Sequence, residues 1–118
     1  MLVIGHDQKI FVYTQPVDMR KSVNGLVIIL LEMFEKNPQS GDAYLFVNRQ
    51  RNKIKCLKWD KNGFVIYYKR LEKGRFNYSK HLNGDEIIVT TKQLRALLMG
   101  LDFYLLGEYP EEESKDFF

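Results

Sequence analysis

The sequence predicts an α+β fold: a small single domain in which an antiparallel β-meander carries two helices packed on it. Three observations lead there. Asn62-Gly63 sits between two apolar runs, a strong short-range signal for a tight hairpin. Two stretches, one from Met19 to Phe34 and one from Leu94 to Leu101, repeat apolar residues at helical spacing. These helical stretches stand apart from the run of strands instead of alternating with it, which separates α+β from doubly wound folds.

Lys9 to Tyr13 reads as a short strand of β-branched and aromatic residues, ended by Gln15-Pro16. Asp18 is then placed to cap a helix whose first turn is Met19-Arg20-Lys21. Met19, Val23, Leu26, Val27, Leu30 and Phe34 form its core stripe. Ile28, Ile29 and Leu31 widen the stripe, so the helix is expected to be covered on most sides. Asn37-Pro38 stops it, and Ser40-Gly41-Asp42 is a turn.

The meander follows: a strand from Tyr44 to Asn48, a polar loop from Arg49 to Lys53, then strands Ile54 to Asp60 and Phe64 to Arg70. With Asn62-Gly63 as a two-residue loop at positive φ, Trp59 is expected opposite Ile66, and Leu57 opposite Tyr68. A slip by two leaves the same residues on the same face. One face then carries Leu57, Trp59, Phe64, Ile66 and Tyr68, the expected core side. The other carries Cys56, Lys58, Val65, Tyr67 and Lys69, the expected ligand side. A loop around Gly74 leads to a strand from Glu86 to Val89. Thr90 or Thr91 caps the last helix, in which Leu94, Leu97, Leu98 and Leu101 repeat at i, i+3, i+4, i+7, with Gly100 as its stop. Residues 1–102 thus read as one domain and 103–118 as an acidic, aromatic tail.

The chain of 118 residues is one domain's worth, too short for a two-domain enzyme. Its longest unbroken apolar run, Leu26 to Leu31, has six residues, far below the ~20 that span a membrane. No secretory leader is visible in MLVIGHDQK. The single cysteine, Cys56, excludes an internal disulfide framework and a multi-cysteine zinc site, and it fits the reducing cytoplasm. On a strand it is best read as a small core residue.

A net charge of +3 conceals a strong asymmetry. Residues 49–80 hold 11 basic and two acidic side chains, whereas residues 101–118 hold one basic and six acidic. Trp59, Phe64, Tyr67, Tyr68, Phe76 and Tyr78 are interleaved with the middle cations. Basic charge with aromatics between suits a polyanion, nucleic acid first; the plain alternative is a solvated sheet whose lysines prevent edge-to-edge aggregation. Arg49, Arg51, Lys53 and Lys55 alternate, and in extended chain would form one cationic edge. Arg20 and Lys21 in a first helical turn would oppose the helix dipole unless an anion bound there. The candidate nucleic-acid contacts are therefore Arg20, Lys21, Arg49, Arg51, Lys53, Lys55, Lys69, Arg70, Lys73 and Arg75. Trp59 shares a face with Leu57 and Ile66 and reads as a core anchor.

Catalytic residues, cofactors and metals are not expected. Asp18, Asp42, Asp60, Asp85 and Asp102 are isolated, without the clustering that two-metal chemistry requires. His6 and His81 are single and far apart, and no phosphate loop or nucleophile elbow is present.

The stretches VDMRKSVNGL, NPQSGDAYLFVNRQRNKIKCLKWDKNGF and VIYYKRLEKGRF resemble the small accessory protein of the insertion-sequence-66 family of bacterial transposable elements. That protein is the product of the element's second open reading frame (TnpB-like, and unrelated to the RNA-guided nuclease of the same label). The resemblance runs from about Lys9 to Asp102. It implies a cytoplasmic, non-enzymatic protein that acts beside a separate transposase in transposition. Charge and resemblance together lead to the expectation of DNA as a partner, held by the basic meander. The rival expectation is a protein–protein adaptor whose basic face docks on an acidic partner. The acidic tail is expected to be a contact segment that competes with DNA.

Overall fold

A computed structural model of the chain describes residues 2–77 and 84–101. The expected tail, Asp102 and the aromatic at Tyr78 lie outside the described residues. In chain order the elements are β1 (Ile10–Tyr13), α1 (Val23–Met33), β2 (Ala43–Val47), β3 (Lys53–Asp60), β4 (Gly63–Arg70), β5 (Glu86–Val89) and α2 (Thr91–Leu98). The five strands form one sheet in the order β4-β3-β2-β1-β5. β2, β3 and β4 make the expected antiparallel meander. β5 is antiparallel to β1, but β1 runs parallel to β2, because α1 carries the chain back across the sheet between them. The α+β class holds, with one parallel pair inside it.

Side chains alternate cleanly between two apolar layers. Ile10, Val12, Ala43, Leu45, Val47, Ile54, Cys56, Ile87 and Val89 face one side and meet Leu94, Ala96 and Leu97 of α2. Phe11, Tyr13, Tyr44, Phe46 and Leu57 face the other side and meet Leu26 and Leu30 of α1. The two helices therefore cover opposite faces, and the central strands β1 and β2 are buried throughout. The α1 side is aromatic: Tyr13 stacks with Phe46 at 5.3 Å and lies 4.1 Å from Phe34, centroid to centroid.

The last helix is closed at both ends as the sequence suggests. Thr90 Oγ1 accepts the Gln93 N–H at 3.1 Å and Gln93 Oε1 accepts the Thr90 N–H at 2.9 Å, a reciprocal cap. Gly100, at φ +83°, turns the chain so that its own N–H reaches the Leu97 carbonyl and the Leu101 N–H reaches that of Ala96.

The first helix departs from expectation at its start. α1 begins at Val23 with Ser22 as N-cap, one turn later than Asp18 would place it. Asp18 instead closes a local turn, accepting the Arg20 N–H at 2.9 Å. Arg20 and Lys21 therefore precede the helix instead of crowding its first turn. The outer side of α1 is also more open than the wide apolar stripe implies, with Ile28, Leu31 and Met33 exposed. One sheet face and one helix stripe suffice to bury Leu26 and Leu30, and no further described layer lies outside them.

The β3–β4 hairpin turns one residue earlier than Asn62-Gly63. Asp60 pairs with Gly63, so the loop is Lys61-Asn62, with Lys61 at φ +57° and the Asn62 N–H bonded to the Asp60 carbonyl. Trp59 then faces Phe64 across the ladder, with the rings edge to face at 5.0 Å. Such cross-strand aromatic contact favours this register over the better turn residues. Trp59 is half-buried at this end and anchors Phe64. The shift is by two, so the face assignments of Leu57, Trp59, Phe64, Ile66 and Tyr68 are preserved.

Candidate nucleic-acid interface

α1 closes the aromatic face over Leu57, Phe64 and Ile66 but not over the far ends of β3 and β4. There Lys53 pairs with Arg70, and the next pair on the same face is Lys55 with Tyr68. Two cations directly opposite one another across an antiparallel pair destabilise it. The Lys55 ammonium lies 5.8 Å from the centre of the Tyr68 ring and donates to the Lys21 carbonyl at 2.8 Å. That bond ties the segment before α1 to the sheet.

The β1–α1 segment forms the opposite wall. The Val17 N–H bonds to the Val47 carbonyl at 2.8 Å, which holds Pro16 to Arg20 against the end of β2. Between this segment, the β2–β3 turn and the sheet face lies an open cleft of about 480 Å³. Its lining includes Arg20, Arg49, Gln50, Lys53 and Tyr68, with Asp18 as its one acidic residue. Arg20 grips Asp18 through Nε at 3.0 Å and Nη2 at 2.7 Å. The Arg20 hydrogen bonds hold the Asp18 carboxyl at about 2, below its ordinary 3.8. The lining keeps two positive charges in excess. Lys21 lines an adjoining, mostly apolar cavity of about 320 Å³ beside Tyr13, Met33 and Phe34.

Asn48 builds the hairpin tip from within. It is 8% exposed; its Oδ1 accepts the N–H groups of Asn52 and Lys53, each at 3.0 Å. Its Nδ2 donates to Asn52 Oδ1 at 2.7 Å and to Gln50 Oε1 at 3.2 Å. The tip is thus a compact turn, with Arg51 at φ +58°. Arg49 and Arg51 sit in this turn, so the single cationic edge expected from Arg49, Arg51, Lys53 and Lys55 in extended chain does not form. Only Lys53 and Lys55 share a strand face. The Arg51 carbonyl accepts the Phe76 N–H, and Phe76 is fully buried on the α2 side. That anchor leaves Lys73 and Arg75 on the exposed segment after β4.

Lys69 stands apart from the other candidates. It points to the α2 side, and its Nζ donates to the Leu98 carbonyl at 2.7 Å, where a helix C-terminus leaves acceptors unpaired. The face expected to meet a ligand is packed under α2 at Cys56 and Tyr67. Burial pushes the Cys56 thiol up to about 12, so it is a neutral core group. The basic opening lies on the face expected to be core. Tyr68 is the residue that sequence reasoning assigned to the core and that the structure leaves 49% exposed. No local signal marked it, because how far α1 covers this face is set by where the helix begins and ends. Among the described residues, no three His, Cys, Asp or Glu side chains gather where they could hold a metal ion. No helix of the described residues is long and apolar enough to cross a membrane.

No solved structure matches this chain. It is similar to two proteins of Sinorhizobium fredii (strain NBRC 101917 / NGR234). One, named uncharacterized protein y4jC, is 32% identical over 102 residues, covering 86% of each chain. The other, uncharacterized protein y4hO, is 30% identical over 112 residues, covering 95% of this chain and 93% of its own. The family model described as IS66 Orf2 like protein matches residues 8–106, as the series of motifs along the sequence led us to expect, and the chain belongs to that family of transposition-associated accessory proteins.

Proposed function

We propose that this protein is a non-enzymatic, cytoplasmic accessory factor of insertion-sequence transposition that binds element DNA and works with a separate transposase. One observation carries the reading. Cations from two separate segments, Arg20 before α1 and Arg49 and Lys53 of the β2–β3 hairpin, line one cleft, and Arg70 of β4 sits directly opposite Lys53. Bringing like charges together costs free energy in the folded protein, and a polyanion converts that cost into affinity. Arg20, Lys21, Arg49, Lys53, Lys55 and Arg70 supply the central contacts. Arg51, Lys73 and Arg75 flank them, and Lys69 contributes through the fold. The family supports the link to transposition, and the charge supports the nucleic acid.

The test is a gel shift of the purified protein against element ends and unrelated DNA over a range of salt. With about five phosphate contacts, log affinity falls against log salt with a slope of about −3 to −5. Replacing Arg49, Lys53 and Arg70 together by Gln flattens that slope by about 2 to 3 units, equally on all sequences, because phosphates carry no base identity. Absence of binding at low salt, with and without the transposase, would sink the reading in favour of an adaptor that docks on an acidic partner.

A further inference from the structure

The same cleft contains an aromatic ring in a position that a phosphate-binding surface alone does not require. Tyr68 is 49% exposed, although it lies on the face that α1 covers at Ile66 and Phe64. Tyr68 lines the cleft together with Arg20, Arg49 and Lys53, and the Lys55 ammonium lies over one face of its ring, 5.8 Å from the centre. At about 480 Å³ the cleft falls in the range of small-ligand sites, about 300–1,000 Å³. Its walls are fixed beforehand. Asn48 holds the tip that carries Arg49 and Gln50, the Asp18 turn holds Arg20, and the Lys55 bond to the Lys21 carbonyl joins the two sides.

We propose that this cleft takes an unpaired nucleotide of a single strand, with its base on the Tyr68 ring and its flanking phosphates on Arg20, Arg49 and Lys53. The inference rests on the nucleic-acid reading above and narrows it to single strands. In a duplex the faces of each base are covered by its neighbours, so an aromatic ring in a small cleft has nothing to stack on. In a single strand one face is free, and every base presents a π-surface, so such a site tolerates any sequence. Cations around an aromatic platform then track the backbone on either side.

The experiment measures anisotropy of labelled 12-nucleotide single strands and a 12-base-pair duplex with the full chain at one salt concentration. Wild type is expected to bind the single strand at least tenfold more tightly than the duplex. Tyr68→Ala is expected to lose about tenfold on the single strand, the low end of base–aromatic stacking, with little change on the duplex. Tyr68→Trp restores the loss, and far-UV circular dichroism confirms that both variants are folded. Equal binding of the two forms overturns the inference, as does a Tyr68→Ala variant that is folded and binds single strands like wild type. In both cases the broader DNA reading survives. If neither oligonucleotide binds at low salt, both readings fail together.

Discussion

Lys69 and Arg70 are chain neighbours on β4, and they belong to different parts of the molecule's economy. Lys69 faces the aliphatic side, where α2, Phe76 and the N-terminal Leu2 and Ile4 close the sheet, and its ammonium satisfies a helix carbonyl. Arg70 faces the aromatic side beyond the end of α1, opposite Lys53, and its guanidinium pairs with the exposed Glu72 carboxylate at 3.1 Å. One face has its charge turned inward to complete the fold. The other keeps its charge at the surface, with Arg70 and Arg20 paired, among the described residues, only to exposed carboxylates of their own segments. Equal charges at adjacent positions can thus have opposite consequences, decided by which face of the sheet they occupy.

The comparison breaks most readily at Phe76. Its side chain is fully buried on the closed face, and Phe76→Ala should cost about 3–5 kcal/mol, read as a lower denaturant midpoint. If that loss is under about 1 kcal/mol, the closed face is not held as described. Lys69→Met comes next. Losing a charged hydrogen bond at a helix C-terminus should cost about 1–2 kcal/mol, while nucleic-acid affinity stays within about twofold. A large loss of binding in a fully stable Lys69→Met protein would merge the two faces into one surface.

At the other end of the hairpin, Lys61 adopts φ +57°. Lys61→Gly should raise stability by about 0.5–1 kcal/mol, since glycine carries no penalty in that region, and should leave binding unchanged. Lys53→Glu sharpens the contrast further. It turns a repulsive cross-strand pair with Arg70 into an attractive one and should stabilise the fold by about 0.5 kcal/mol, while weakening nucleic-acid binding. Weaker binding together with higher stability is the signature expected of the open face, and a Lys53→Glu protein that is both less stable and unaffected in binding would contradict it. The smallest effect concerns acid. Asp18 titrates at about 2 in the folded chain against an ordinary 3.8. The ionised form therefore favours folding, and its contribution is present above about pH 4 and lost as pH falls towards 2. Asp18→Asn should unfold with a shallower dependence on pH across that window in thermal melts followed by circular dichroism.

Much of this was legible in the sequence. Strand alternation placed Leu57, Ile66, Cys56 and Tyr67 on their faces, because side chains alternate by two whatever the loop does. Thr90 and Gly100 bounded α2, because capping is a local exchange of hydrogen bonds between residues three to five apart. The concentration of positive charge between residues 49 and 80 was visible by counting. Three matters were settled only in three dimensions. The hairpin loop moved to Lys61-Asn62 because the Trp59–Phe64 contact spans two strands. Arg20 joined Arg49 and Lys53 because the Val17 bond to Val47 folds the segment before α1 onto the end of β2. Which face opens depended on the helices: α2 covers Cys56, Tyr67 and Lys69, while α1 stops short of Tyr68. Periodicity tells which side chains share a face, since it depends only on the backbone of one element. Which face is then covered depends on the length and position of a distant element, and no local pattern records that.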